Sequence, residues 1–225
     1  KVQTVAGILS YKVWGMNGFD AFNYAITSTA TGGFGTESGS IATFHSPAEE
    51  YVCTIFCFLS GVNFTLLYTS VAGFKFKQLF RNSEFKFYTT MIAAFTVFIM
   101  LELIFQCNYE VEHAFRSSVF QVVSFITTTG LYSDDAAKWP HVTWVVLAAC
   151  MFFGGSSGST SGGIKSIRGV MLLKVVKNEF RQILHPNAVL PMKIDGYNVQ
   201  MSKRVTLLGF IGLYLFLAVI CAFTM

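Results

Sequence analysis

The chain has 225 residues, of which 53% are hydrophobic and only 12% charged, with a formal net charge of +4. A soluble domain carries roughly 25% charged residues, so an ordinary soluble fold is excluded, and so small a net charge gives no basis for binding nucleic acid. The natural unit of organisation is instead the membrane span of about 20 residues.

In chain order, Val5 to Trp14 is a short apolar stretch that reads as the end of a preceding helix. The chain starts at Lys1 rather than Met and stops within an apolar run at Met225, so it reads as an internal fragment of a longer protein. Phe19 to Thr31 has helix-compatible patterning but is too short to cross a bilayer. Tyr51 to Phe74 reads as one full span, and Phe87 to Phe105 as a second, interrupted by Glu102. His113 to Thr129 is another short apolar helix. Val142 to Phe153 is half a span, and Val205 to Met225 is a third full one. The two short helices end in Thr and Gly, which fits re-entrant segments. A non-helical end is tolerated at membrane depth only when buried in protein or lining a water-filled path.

Charge sets the expected orientation. The segment from Phe74 to Lys86 holds Lys75, Lys77, Arg81 and Lys86. The segment from Ile164 to Arg204 holds Lys165, Arg168, Lys174, Lys177, Arg181, Lys193, Lys203 and Arg204. Basic loops stay on the cytoplasmic side. The loops rich in acid, with Asp20, Glu37, Glu49, Glu50, Glu110, Glu112, Asp134 and Asp135, then face outside, and both short helices enter from there.

The order helix, short helix, Thr/Gly turn, helix occurs twice. Residues 30–36 (Ala30, Thr31, Gly32, Gly33, Phe34, Gly35, Thr36) align with residues 127–133 (Thr127, Thr128, Thr129, Gly130, Leu131, Tyr132, Ser133). Phe58-Leu59-Ser60-Gly61 aligns with Phe152-Phe153-Gly154-Gly155 further on. Two registers are open. Pairing Gly32 with Gly130 recovers more identities, whereas pairing Gly33 with Gly130 aligns the apolar residues Phe34 and Leu131. An ion entering a pore exchanges its water for other oxygens, which backbone carbonyls supply without burying a full charge. Gly reaches the backbone conformations that turn successive carbonyls inward, and Thr adds a small hydroxyl. The competing reading is a glycine-rich connection, but two copies after two short apolar helices favour a pore.

The run Gly154, Gly155, Ser156, Ser157, Gly158, Ser159, Thr160, Ser161, Gly162, Gly163 breaks an apolar helix, because Gly and Ser disfavour helix interiors. A mobile strip beneath a filter can close a pore. Its rival is a phosphate loop, since Gly158 and Gly163 have suitable spacing and Lys165-Ser166 follow. Ile164, however, occupies the lysine position, and no strand precedes it. Glu102 is a lone intramembrane acid, a residue class that is usually paired or functional. Arg116, near the start of the second short helix, is expected to snorkel. Cys53 and Cys57, one turn apart, read as packing, and no metal spacing links His45, His113, His141 and His185. Asp134 and Asp135 read as a solvated acidic loop, with cation attraction at a mouth as the alternative. Lys165 to Leu184 is a basic amphipathic helix suited to an inner membrane surface. No Ser/His, Cys/His or paired-carboxylate set lies within the spans, so an enzyme is not expected.

The turns, the glycine loop and the stretch His185-Pro186-Asn187-Ala188-Val189 together resemble the TrkH/KtrB/HKT potassium transporter superfamily, and its bacterial TrkH branch most closely. The resemblance implies an all-α polytopic membrane protein of repeated M1–pore helix–filter–M2 units. Residues 1–74 would be repeat two, 75–184 repeat three, and 185–225 a linker and the first helix of repeat four. It implies potassium bound at Ala30, Thr31, Gly32, Gly33, Thr127, Thr128, Thr129 and Gly130, with residues 154–163 as gate. It further implies residence in the lipid bilayer of the bacterial inner membrane, a homodimer and a cytosolic TrkA-type nucleotide-binding subunit. Potassium would be the substrate, with no cofactor. A broken-helix transporter for another cation such as sodium is the alternative.

Overall fold

The computed structural model describes residues 2–74, 76–185, 192–199 and 201–224. Lys1, Lys75, Met225 and the stretch from Pro186 to Val189 lie outside the described residues. The fold is mostly helical: α1 (Val2–Val13), α2 (Gly18–Ala30), α3 (Pro47–Ser60), α4 (Phe64–Ala72), α5 (Phe76–Arg81), α6 (Ser83–Cys107), α7 (Val111–Ile126), α8 (His141–Phe152), α9 (Ser166–Leu184) and α10 (Met201–Thr224). The all-α expectation needs one correction. A small antiparallel hairpin pairs β1 (Lys193–Ile194) with β2 (Tyr197–Asn198), turning through Asp195 and Gly196, both at positive φ.

The short helix α7 is largely buried, whereas α2 buries one face and exposes Phe19, Phe22 and Ile26 on the other. Helix α2 packs between α1 and α3, and α7 packs against α3, α6 and α8. Tyr11, Tyr24, Tyr88, Phe120, Ile126 and Leu131 are among the side chains buried in the common core. Helix α7 buries Ser117, Ser118, Gln121 and Ser124 as well, so protein rather than water or lipid surrounds it.

Two described helices, α6 and α10, are long and apolar enough to cross a membrane unaided. The span expected over Tyr51 to Phe74 is not one continuous helix. It is broken into α3 and α4, which bend by 102°. The physical cause is local: Gly61 follows the last helical residue, and Asn63 starts a new helix by accepting hydrogen bonds from the Thr65 (3.0 Å) and Leu66 (3.3 Å) amides. An Asn cap of this kind stabilises a helix start by about 1 kcal/mol. Helix α8 stops at Phe152, the position aligned with Phe58 before the first break. Among the described residues helix α10 stands largely apart with its apolar surface exposed, touching α9, where the Arg168 guanidinium lies 3.8 Å over the Phe210 ring, and α8, where the Phe152 and Tyr214 rings meet edge to face at 6.2 Å.

Candidate functional site

Both Thr/Gly turns are positioned by the helix that precedes them. At the end of α2, Thr31 takes a left-handed conformation (φ 53°, ψ 45°), the Gly32 amide donates back to the Thr27 carbonyl (2.9 Å), and Gly33 follows at φ 76°. At the end of α7, the Thr129 amide donates to the Ser124 carbonyl (2.8 Å), with Thr128 at φ 55° and Gly130 at φ 81°. In each turn, then, a left-handed Thr precedes a left-handed Gly by two positions. This backbone correspondence pairs Gly33 with Gly130. Gly32, at ordinary φ, has no equivalent strain. A left-handed residue other than Gly costs roughly 1–2 kcal/mol, so two matched threonines there mark a required backbone shape.

The side chains differ between the turns. Thr127 donates to the Val123 carbonyl (2.7 Å) and shares a 2.8 Å hydrogen bond with the Thr129 hydroxyl, both threonines being buried. The Ser124 hydroxyl donates to the Leu131 carbonyl at 2.6 Å, fixing the exit of the turn. In the first turn the Thr31 hydroxyl donates to its neighbour's carbonyl, that of Ala30 (2.7 Å). The two turns meet: a Cβ added at Gly33 would lie 2.2 Å from the Thr129 carbonyl oxygen. Beyond them, the Tyr132 amide donates to the Ser40 hydroxyl (3.2 Å), joining the two outer connections.

The glycine-rich loop 154–163 sits against the second turn and against the ends of α2 and α3. The Gly162 amide donates to the Thr128 hydroxyl at 2.7 Å, and the Thr160 hydroxyl reaches the Thr29 carbonyl (3.2 Å) and the Ser60 carbonyl (3.3 Å). Its base is closed by Gly154 N–H to the Ile164 carbonyl (2.8 Å) and Ile164 N–H to the Phe152 carbonyl (2.9 Å). It also docks on the first helix break, where Ser156 donates to the Gly61 carbonyl (2.8 Å) and the Gly158 carbonyl accepts from Phe64 (3.0 Å). The expected loose strip is thus a folded, hydrogen-bonded loop in this conformation. The phosphate-loop alternative falls. An α-helix rather than a strand precedes the loop, and the Lys165 ammonium is consumed by the loop's own Ser159 (3.4 Å) and Ser161 carbonyls.

Other expected residues lie elsewhere. Glu102 accepts from Gln106 one turn further along α6 and does not reach the turns. Arg116 does not snorkel. Its side chain, 11% exposed, pairs with Glu50 of α3 at 3.1 Å and with Glu112 at 3.5 Å, tying α7 to α3. Burial among helices makes an unpaired Glu50 costly, and the arginine offsets part of that cost. The Asp134 carboxylate accepts from the Trp139 indole (3.3 Å), and Asp135 caps a short turn by accepting from Ala137 (3.1 Å), so both acids serve their own loop. Cys53 and Cys57 are buried with sulfurs 3.9 Å apart, and among the described residues no cluster of metal-ligating side chains occurs. The residues missed from sequence are Gly61 and Asn63 at the break and Glu84, which binds the loop. The first two carry a readable signal, a glycine stop followed by an Asn cap. Glu84 carries none, because its partner is remote in sequence.

The family model described as TrkH, a cation transport protein, matches residues 4–225. The chain belongs to the TrkH family. The Trk system potassium uptake protein TrkH of Halomonas elongata is 34% identical over 214 residues, covering 95% of this chain and 44% of that protein. TrkG of Escherichia coli K12 is 35% identical over 210 residues, covering 93% of this chain and 43% of that protein. The crystal structure of the potassium transporter TrkH from Vibrio parahaemolyticus matches with a TM-score of 0.93 at 31% identity, over 97% of this chain and 47% of that one. The chain therefore spans less than half the length of the relatives it matches. Family membership, with two described helices able to span a bilayer, makes this TrkH-family chain an integral membrane protein.

Proposed function

We propose that this TrkH-family chain forms part of a potassium uptake path across the bacterial inner membrane. The Thr/Gly turns act as filter segments, with Ala30 to Gly33 and Thr127 to Gly130 presenting oxygens to the ion, and loop 154–163 acts as the gate. The carrying observation is the matched backbone of two touching turns with the loop seated on the second turn and on the helix that leads into the first: Thr31 and Gly33 repeat as Thr128 and Gly130, and Gly162 bonds Thr128 while Thr160 bonds Thr29 near the end of α2. Carbonyl oxygens held this way replace an ion's hydration shell without a buried carboxylate. In this reading α2 and α7 are pore helices of two repeated units, and both enter from the outer side. The basic segments around Lys77 to Lys86 and along α9 face the cytoplasm. The potassium specificity follows the relatives, which are potassium uptake proteins. Assembly as a homodimer with a cytosolic TrkA-type nucleotide-binding subunit belongs to the same proposal, with the exposed basic face of α9 as the docking surface.

Deleting Gly155 to Gly162 from the full-length protein tests the gate. Potassium flux into proteoliposomes should rise several-fold without regulator. Unchanged flux from a folded deletion variant makes the loop a connector.

A further inference from the structure

We infer that Glu84, in the first turn of α6, is a positioning residue that latches loop 154–163 in its seated conformation. The inference rests on the proposed role of that loop. Glu84 is 5% exposed, and a buried carboxylate is costly unless its oxygens are satisfied. Its Oε1 accepts from the Ser157 amide at 2.6 Å, and its Oε2 accepts from the Ser157 hydroxyl at 3.3 Å. An acid at a helix N-terminus has a simpler explanation in the helix dipole, but the start of α6 is already served. Asn82 caps it by accepting from Phe85 (3.0 Å), and Asp195 of the β1–β2 hairpin accepts from the Ser83 amide (3.1 Å). Glu84 is free to reach out of the helix to the loop.

The contact is also well placed. Ser157 lies between the loop's two anchors on the first helix break, Ser156 on Gly61 and Gly158 on Phe64. Those anchors, and the contacts of Thr160 with Thr29 and of Gly162 with Thr128, join neutral groups. Two charged groups from outside 154–163 hydrogen-bond to the loop: Lys165, just past its end, holds the Ser159 and Ser161 carbonyls, and Glu84, from another helix, holds Ser157. Charge-assisted hydrogen bonds are roughly twice as strong as neutral ones. Release of the carboxylate would therefore loosen the loop at Ser157, leaving only neutral anchors on either side of it, while the base, the Gly154–Ile164 ladder, stays closed.

The test uses the full-length protein in lipid nanodiscs, reading amide hydrogen exchange across 155–162, with potassium flux measured in proteoliposomes. Glu84→Asp keeps the negative charge at the helix start but is one methylene too short to reach Ser157. It should raise exchange in the loop about tenfold, as expected for losing a charged hydrogen bond, and raise basal flux with it. Glu84→Gln, which keeps reach but loses charge, and Ser157→Ala, which loses only the hydroxyl, should give smaller increases, and they carry the test should Glu84→Asp fold poorly. Exchange unchanged in the folded variants overturns the latch and leaves Glu84 as a helix-end charge. Faster exchange with unchanged flux keeps the latch and overturns the gate reading instead.

Discussion

The two helix breaks solve the same problem at different length. After α3 the chain turns in three residues, Gly61 to Asn63, and restarts at once under an Asn cap. After α8 it uses the whole of residues 154–163 before α9 begins. The short break is a fixed corner; the long one is a loop that reaches the second Thr/Gly turn and must be held by partners distributed over α2, α6, that turn and the first break. The turns themselves show the same pattern of shared backbone and divergent surroundings. Leu131 is 1% exposed whereas its counterpart Phe34 is 80% exposed. The lesson is that this fold repeats its backbone geometry and varies what packs on it.

The comparison can be broken first at Gly33. A Cβ there would collide with the Thr129 carbonyl oxygen at 2.2 Å, on top of the cost of φ 76°. Neither atom belongs to a flexible side chain, so Gly33→Ser should displace both turns at once. The potassium-over-sodium flux ratio of the full-length protein should fall by at least about tenfold, the effect of roughly 1.4 kcal/mol. A ratio equal to that of the parent protein removes Gly33 from the filter.

The meeting of the two breaks comes next. A Cβ at Gly155 would lie 2.6 Å from the Gly61 carbonyl oxygen, and one at Gly61 would lie 2.8 Å from the Thr127 methyl and 2.3 Å from the Tyr88 hydroxyl. Gly155→Ala should unseat the loop and raise basal flux. Gly61→Ala should instead lower thermal stability by about 1–3 kcal/mol, as overpacking does in a filled core. Melting curves and flux measured on the same preparations distinguish the two. Equal effects on both readouts would mean that the breaks act as one unit.

Smaller effects sharpen the register. Gly130 has positive φ but open space around a new Cβ, so Gly130→Ser should cost only the backbone term, roughly 1–2 kcal/mol, and lower selectivity less than Gly33→Ser. Gly32 is at ordinary φ with its nearest neighbour 3.6 Å from a new Cβ, and Gly32→Ser should be nearly silent. The order Gly33, Gly130, Gly32 in flux ratio is the expected outcome. A stronger effect at Gly32 than at Gly130 reverses the register.

Sequence alone determined the membrane class, the two short helices with their Thr/Gly ends, the glycine loop and the family. These follow from local properties: apolar run length, glycine and threonine content, and the placement of charge. Even the break after Ser60 was legible as Gly61 followed by Asn63, although a window of mean apolarity reads through it as one span. Only the tertiary structure decided the rest. It paired Gly33 with Gly130, because register is a property of φ angles rather than of residue identity. It turned Arg116 from a surface residue into the partner of Glu50, and it brought Glu84 to Ser157. Those pairings join residues far apart in the chain, and no local pattern records which remote group a buried carboxylate will meet.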